Sequence, residues 1–393
     1  KKPLVTMKSP LAITVALSLA IHAHSSNYMR KALDNVEIDT APLTPPTTDG
    51  SLIEKQFSDN PHKGKDQRSM VLLGEFVLTD VRMSSNQDEI KAYFCDFQFD
   101  QTEKDPSLAP RYIDFYGESV HCQEHSISLP LHEIAEACRD YDNSQSIQPD
   151  AFILHQPKSG STILSNMLTV SHPDTRVISE PTALGQIFKC DKCDHDLKVQ
   201  ALKDVMYLLG RSQTSGQMFV KIAARHTVGL PVLRDAFPDT KWLYLYRDSD
   251  TVLQKLMDAR HERRVCGSYR YIPGAALTEF LTSQEKSKES LKTEEQACAA
   301  YLATHMTIVL DELEADDTSG RIVVYEELLD RTSIEDLFDY LEVYSPNWDQ
   351  VEGQWNKRAN SGRGEEWAGE SHLHISDKVR SATAEFEMSA NTE

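Results

Sequence analysis

From about Pro130 onward, short apolar segments alternate with longer segments of helical period. The short segments have the length and composition of buried strands: 151–155, 218–222, 242–246 and 321–325. The segments between them predict helices: 161–169, 230–237, 251–260 and 294–313. Strands that alternate with helices predict an α/β fold, a parallel sheet flanked by helices.

The preceding region has a strand pattern of a different kind. Cys95, Phe97 and Phe99 alternate with polar residues, which is the period of a half-buried strand. The segments 70–77 and 112–116 have similar patterns and also predict strands. We therefore expect a small β-rich lobe on the N-terminal side of the α/β domain.

The first residues have the features of a secretory signal. Lys1, Lys2 and Lys8 lie before an apolar run at 11–21, and small residues follow that run. A signal peptide is expected, with a signal anchor as second choice and an ordinary buried helix as the alternative. The signal would place the protein in the secretory pathway, in the Golgi lumen or outside the cell.

Proline-rich and acidic stretches complete the predicted organisation. Residues 27–68 show little apolar periodicity and predict a linker or stalk. The full division is a signal segment at 1–26, the linker at 27–68, the β-rich lobe at 69–125, the α/β domain at 126–380 and a frayed tail at 381–393.

Charge limits the partners. Lys and Arg number 41 against 61 Asp and Glu, a net charge of -20, which repels the phosphate backbone of nucleic acids. A nucleic-acid partner is therefore not expected, and an anionic ligand needs a local cluster of donors. Seven cysteines, an odd number, leave at least one thiol unpaired or bonded between chains.

One loop has the composition of an anion site. It follows the strand 151–155 and leads into a helix, with Lys158 and Gly160 in the loop and hydroxyls at Ser161 and Thr162. Free N–H groups and the helix dipole attract an anion there. The lysine precedes the glycine, so the loop is not a Walker A motif. The alternative is a capped helix with an incidental lysine.

The loop resembles the 5′-phosphosulfate loop of sulfotransferases that use 3′-phosphoadenosine 5′-phosphosulfate (PAPS). The resemblance implies that the donor is bound by Pro157, Lys158, Ser159, Gly160, Ser161 and Thr162. In that family the lysine contacts the oxygen that bridges phosphate and sulfuryl group. The implied fold is P-loop-like, and no metal is required.

Other elements resemble the same family over about 150–367. The strand end at Arg247 and Asp248 resembles the 3′-phosphate site, although Lys255 stands where the family has a serine. Residues 324–328 resemble a family strand end, and Arg363 lies in a segment similar to the late loop that closes over the nucleotide.

The base that takes the acceptor proton is left open. Lys221 matches a family lysine, but Ala223 stands where cytosolic members have the catalytic histidine. Glu180, followed by Pro181, resembles the Glu-Pro base of several carbohydrate sulfotransferases. His226 is the alternative, and a third residue is not excluded.

Two further features have ordinary interpretations. Cys190, Cys193 and His195 have local metal-ligand spacing, but a second ligand pair is missing, so a disulfide or solvated loop is favoured over zinc. His155 is interpreted as a packed residue at a strand end.

The predicted function is therefore sulfuryl transfer from PAPS to a hydroxyl or amine acceptor, with a carbohydrate favoured and other small hydroxylated molecules open. The alternatives are a non-catalytic nucleotide-binding module and a nucleotide kinase or NTPase. The expected partners are the nucleotide donor and the acceptor, with at most a membrane anchor at the N-terminus.

Overall fold

The computed structural model describes most of the chain from Asp66 to Ala384. The described ranges are 66–74, 76–83, 89–95, 126–142, 146–211, 216–259, 266, 274–285, 287, 291–315, 318–355 and 373–384. The predicted signal segment, nearly all of the predicted linker, the predicted strand at 112–116, Arg363 and residues 385–393 lie outside these ranges.

A five-stranded parallel sheet forms the centre of the molecule. In chain order its strands are β4 (Ala151–His155), β5 (Thr175–Ser179), β6 (Gln217–Lys221), β7 (Lys241–Tyr246) and β8 (Gly320–Val324). Their spatial order is β5-β6-β4-β7-β8, and every neighbouring pair is parallel. The carboxyl ends of all five strands therefore meet at one edge, where open α/β sheets bind their ligands.

Helices cover both faces of this sheet. In chain order the helices from this point are α3 (Ser161–Ser171), α4 (Thr182–Phe188), α5 (His195–Gly210), α6 (Leu230–Ala236), α7 (Ser249–Asp258), α8 (Gly274–Ser283), α9 (Glu294–Ala315), α10 (Arg331–Tyr340), α11 (Trp348–Trp355) and α12 (Asp377–Ala384). Of these, α7, α8 and α12 pack with the first half of α9 in a separate cluster that contains no residue of the sheet. Short 3-10 segments lie at Ala224–Gly229 and Tyr325–Leu329.

The two faces bury different clusters because successive strand residues point in opposite directions. On β4, Phe152 and Leu154 pack with α4, α5, α6 and α9, whereas Ile153 packs with α3 and α10. All five residues of β4 and of β6 are buried, as in a sheet covered on both sides. The predicted parallel sheet flanked by helices is confirmed.

A small antiparallel sheet precedes it, in the order β1-β2-β3. Its strands are β1 (Val77–Met83), β2 (Ile90–Cys95) and β3 (Ile127–Pro130), between the helices α1 (Gln67–Leu72) and α2 (Leu131–Tyr141). Leu78, Val81 and Phe94 belong to the same buried cluster as Phe152 of the large sheet. The small sheet thus packs directly on the α/β core.

The strand predicted at 70–77 is wrong over its first residues. Met70 and Val71 lie in α1 and are both buried, and β1 begins only at Val77. Asp66 caps the helix, since its side chain accepts a hydrogen bond from the N–H of Ser69 at 3.1 Å. The sequence pattern did not predict this capped helix, because six residues are too few to show a helical period.

Disulfides join Cys190 to Cys193 and Cys266 to Cys298, while Cys138 is a free, buried thiol. The favoured disulfide interpretation of the Cys190 loop is thus confirmed. None of the helices in the described ranges combines the length and the apolar character that a bilayer crossing requires.

Candidate active site

The loop between β4 and α3 is shaped by two residues in the left-handed region. Lys158 has a φ of 63° and Gly160 a φ of 86°. A Cβ at Gly160 would lie 2.8 Å from Cδ2 of Tyr325 and 2.9 Å from Cδ1 of Leu328, which is too close. Gly160 is therefore required both for the backbone and for space, and it forms the N-cap of α3.

The loop and the first turn of α3 bring together the predicted donor-binding residues. These are Pro157, Lys158, Ser159, Gly160, Ser161 and Thr162. Lys158 is exposed, whereas Ser159, Ser161 and Thr162 are buried. The Ser159 hydroxyl donates to the carbonyl oxygen of Gln156 at 2.8 Å, so it stabilises the loop itself. The first N–H groups of α3 have no partner within the helix, which makes its N-terminus a favourable place for an anion.

Gln156 joins the loop to the neighbouring strand. Its backbone N–H donates to the carbonyl oxygen of Leu245 at 2.9 Å. Its side-chain Oε1 accepts a hydrogen bond from the backbone N–H of Arg247 at 3.0 Å. Gln156 therefore holds the ends of β4 and β7 in register and fixes Arg247 beside the loop.

Arg247 directs its guanidinium toward the loop from the end of β7. Its Cζ atom lies 3.9 Å from the centre of the Tyr325 ring, a cation–π contact, and its Nη1 lies 3.5 Å from the carbonyl oxygen of Lys158. Asp248 has a separate role, because its side chain caps α7 by accepting from the N–H of Thr251 at 2.8 Å. Lys255, half-buried, lies on the second turn of α7.

Glu180 and Lys221 form an ion pair next to the same loop. The Nζ atom of Lys221 lies 2.7 Å from Oε1 of Glu180 and donates to Oγ1 of Thr162 at 3.2 Å. The Lys221 side chain is fully buried, and Glu180 retains 19% exposure. A buried ammonium requires such partners, because its desolvation is costly. Lys221 therefore connects Thr162, in the first turn of α3, to the partly exposed carboxylate of Glu180.

The backbone of Glu180 also indicates a constrained position. Its φ is 56°, in the left-handed region, and its N–H donates to the carbonyl oxygen of Lys221 at 2.8 Å. A non-glycine residue in this region costs about 1–3 kcal/mol and is held there by its surroundings. The surroundings that impose this backbone conformation also fix the Glu180 carboxylate at the carboxyl edge of the sheet.

Three buried histidines lie in the surroundings of this pair. Burial, followed by the charge of Lys221, lowers the pKa of His155 to about 4, against the opposing effect of Glu180. Burial, followed by the influence of His155, lowers the pKa of His305 on α9 to about 3. Burial, followed by the charges of Arg225 and Lys189, lowers the pKa of His226 well below its usual value. All three rings are therefore neutral at neutral pH.

His226, the alternative base, is packed inside the molecule. It is only 3% exposed, and its ring lies so close to Gly185 that a Cβ there would meet Cε1 of the ring at 2.1 Å. The ring of Phe188 lies 6.1 Å away. Glu180 is the more accessible of the two predicted bases.

One group of side chains within the described ranges has atoms close enough to hold a metal ion. Ligand atoms of His132, Glu136 and Asp204 lie within 4.8 Å of one another. Asp204 is already paired, with Nη2 of Arg139 at 2.8 Å and Nδ1 of His132 at 2.9 Å. His195 pairs with Asp235 at 3.1 Å.

Sequence reasoning missed three features of the site. It noted Lys221 only as the match to a family lysine and gave it no role, although the residue contacts both Thr162 and Glu180. Its position at the end of a buried strand is the signal that could have pointed to such a role. It assigned no role to Gln156 or to the Tyr325 ring, whose contacts join residues far apart in the chain.

Together these elements form a loop that begins a helix, with the cations of Lys158 and Arg247 at the loop and the partly exposed Glu180 carboxylate beside it. The arrangement can therefore support transfer of an anionic group to an acceptor that loses a proton.

No protein-family model and no curated protein matches the chain. Among solved structures it is similar to the sulfotransferase STF9 from Mycobacterium avium, with 13% identity, 57% of this chain and 70% of that chain covered, and a TM-score of 0.38. It is also similar to the sulfotransferase domain from the Synechococcus PCC 7002 olefin synthase, with 15% identity, coverages of 62% and 95%, and a TM-score of 0.34. For the sulfotransferase STF1 from Mycobacterium tuberculosis the identity is 10%, the coverages are 65% and 81%, and the TM-score is 0.36. These are partial similarities of fold.

Proposed function

We propose that this protein is a sulfotransferase that moves a sulfuryl group from PAPS to a carbohydrate hydroxyl. The observation that carries the proposal is the connection from the loop to the carboxylate. Lys221 contacts both Thr162, in the first turn after the loop, and Glu180, at 3.2 and 2.7 Å. In the proposal, the loop is the anion site and Glu180 is the proton acceptor, and Lys221 contacts a residue of each.

The donor would be held by the loop and by Arg247. The N–H groups of the first turn of α3 and the hydroxyls of Ser161 and Thr162 provide donors for the phosphosulfate. Lys158, exposed on the loop, would balance the charge that grows on the leaving phosphate oxygen. Arg247, held beside the loop by Gln156 and Tyr325, would bind the 3′-phosphate, with Lys255 and Arg363 as further cations.

In the transfer step, the acceptor oxygen forms a bond to sulfur while the bond between sulfur and the phosphate oxygen breaks. Glu180 takes the proton of the acceptor hydroxyl, and adenosine 3′,5′-bisphosphate leaves with the bond electrons. Lys221 holds the carboxylate in place through its contact with Oε1. Each charge in this scheme is met by a residue of the chain, so the proposal includes no metal.

Two observations support a carbohydrate acceptor in the secretory pathway. Glu180 is followed by Pro181, the Glu-Pro pair that resembles the base of carbohydrate sulfotransferases. The disulfides Cys190–Cys193 and Cys266–Cys298 are typical of an oxidising compartment. We propose the Golgi lumen or the extracellular space as the location, with the N-terminal segment as signal or anchor.

An acceptor screen with labelled PAPS tests the proposal. Oligosaccharides, sterols and small phenols are offered to the full chain, and label should appear in an oligosaccharide. Lys158→Ala should lose this transfer, whereas Lys203→Ala, an exposed lysine on α5, should keep it. Binding of adenosine 3′,5′-bisphosphate without transfer to any acceptor would favour the non-catalytic module. Transfer of label from the γ-phosphate of ATP would favour a kinase.

The location has its own test. A fluorescent protein fused behind residues 1–40 should enter the endoplasmic reticulum, and its signal should be protected from protease added outside the membrane. A diffuse cytosolic signal would reject the secretory assignment and leave the buried-helix alternative.

A further inference from the structure

The imidazole of His155 is held in one tautomer. His155 ends β4 and is 6% exposed, and its Nδ1 lies 2.9 Å from the backbone carbonyl oxygen of Gln156. A carbonyl oxygen can only accept a hydrogen bond, so Nδ1 carries the proton. In the neutral ring the other nitrogen, Nε2, then has a bare lone pair.

This lone pair faces a second acceptor. Within the described part of the chain, Nε2 of His155 has no hydrogen-bond partner. Oε1 of Glu180 lies 3.7 Å from it, beyond hydrogen-bond distance. Two acceptors therefore face each other with no proton between them. Such an unsatisfied buried atom costs about 1–3 kcal/mol, so its presence calls for an explanation.

Protonation of the histidine does not resolve the mismatch at neutral pH. Burial and the ammonium of Lys221 lower the pKa of His155 to about 4, although the Glu180 carboxylate acts in the opposite direction. His305 on α9 also lies within electrostatic range of the ring, and it too is neutral. A proton on the Glu180 carboxyl, whose Oε1 lies 3.7 Å from Nε2, would supply the missing hydrogen bond.

We propose that His155 is a positioning residue that accepts a hydrogen bond from Glu180 once Glu180 has taken the proton of the acceptor. This inference rests on the proposed function. The carboxylate becomes a carboxylic acid, its O–H donates to Nε2, and the imidazole stays neutral. A movement of roughly 0.8 Å brings the two atoms from 3.7 Å to hydrogen-bond distance. The proton leaves for solvent when the product dissociates.

The proposal gives His155 a kinetic effect that packing alone would not produce. The hydrogen bond stabilises the protonated form of Glu180, so Glu180 holds its proton to a higher pH when His155 is present. Loss of the His155 Nε2, the hydrogen-bond acceptor, should lower kcat by roughly 5- to 10-fold, the usual effect of one neutral hydrogen bond. It should also move the acidic limb of the pH profile of kcat to lower pH, while the KM for PAPS stays the same.

Three variants separate this role from packing. His155→Phe keeps a ring of similar shape without a nitrogen, and it should show both the lower kcat and the shifted limb. His155→Gln offers an amide oxygen as acceptor and should recover part of both. His305→Phe is the matched control, another fully buried ring, and its acidic limb should coincide with that of the wild type. A His155→Phe profile with lower kcat and an unmoved limb would reject the proposal.

A measurement without turnover keeps the proposal testable if the variant does not fold or no acceptor is sulfated. Nitrogen NMR of the full chain with labelled histidine should show His155 in the Nδ1–H tautomer. In Glu180→Gln the amide N–H imitates the protonated acid, and the Nε2 signal should move toward that of a hydrogen-bonded nitrogen. An Nε2–H tautomer in the wild type, or an Nε2 signal unchanged by Glu180→Gln, would overturn the role of His155. If the Nδ1–H tautomer and the change of the Nε2 signal are both observed but the wild type sulfates no acceptor, the proposed function is rejected instead.

Discussion

The carboxyl edge of the large sheet has two halves with different electrostatics. On the side of the loop and β7, the Arg247 guanidinium contacts the Tyr325 ring and the carbonyl oxygen of Lys158. On the side of β5 and β6, Lys221 is paired with the Glu180 carboxylate at 2.7 Å. The first half presents positive charge and N–H groups, which suits an anionic donor. The second half balances its own charge, which suits the movement of a proton.

Burial explains why the halves differ. Lys158 is exposed, so a ligand can reach its side chain from solvent. Lys221 is fully buried, and a charge taken out of water requires a close opposite charge and hydrogen-bond acceptors. The halves should therefore respond differently to substitution: the first in binding and charge stabilisation, the second in proton transfer.

The largest effect is expected for Glu180→Gln. If Glu180 is the general base, as proposed, turnover should fall by roughly 10²–10⁴, while affinity for adenosine 3′,5′-bisphosphate barely changes. Steady-state kinetics and calorimetry measure the two quantities. If Glu180→Gln keeps near-normal turnover and His226→Gln loses it, His226 is the base. The unfolding midpoint of each variant serves as the control, because Lys221 loses its charge partner in Glu180→Gln.

Lys158→Ala should act through charge on the other half. Turnover should fall by roughly 10²–10³, the usual effect of one group that stabilises transition-state charge, with a modest loss of nucleotide affinity. Lys203→Ala should leave both unchanged. Equal losses in turnover and in affinity for Lys158→Ala would mean that Lys158 acts mainly in binding.

Arg247→Ala should weaken nucleotide binding by about 1.5–3 kcal/mol, the value of a lost charged hydrogen bond. This corresponds to roughly 10- to 150-fold in Kd, which calorimetry with adenosine 3′,5′-bisphosphate measures. Arg234→Ala, on α6, is the control arginine, since it contacts the carbonyl oxygen of Pro238. Unchanged affinity in Arg247→Ala would remove Arg247 from the donor site.

The smallest effect concerns stability in acid. His305 has a folded pKa of about 3, below the value of about 6.5 expected in the unfolded chain. The unfolded chain therefore binds more protons below pH 6.5, and the stability from this residue is lost as pH falls. Through this residue, the free energy of unfolding should be about 2 kcal/mol lower at pH 5 than at pH 7. His305→Phe retains an aromatic ring that cannot titrate. Between pH 7 and pH 5 its free energy of unfolding should therefore fall by about 2 kcal/mol less than that of the wild type, measured by denaturant titration.

Much of the fold followed from local pattern. The strand Ala151–His155 and the start of α9 at Glu294 lie where the apolar periods placed them. The strand predicted at 70–77 failed because α1 is short and Met70 and Val71 are adjacent buried residues, a spacing that fits a buried strand as well as a helix. The loop residues could be proposed as a site because glycine, lysine and hydroxyls are adjacent in the chain.

The sequence by itself determined the parallel sheet, because the apolar period of each strand is a local property. It also singled out the glycine-containing loop, by its local composition, and Glu180, by its resemblance to a family motif, as candidate site residues. The tertiary structure decided which charges meet. Glu180, Lys221 and Thr162 are far apart in the chain and come together only because β5, β6 and β4 are neighbours in the sheet. It also decided that His155, a strand-end residue by pattern, directs a bare nitrogen at Glu180, since burial and hydrogen-bond partners depend on distant segments.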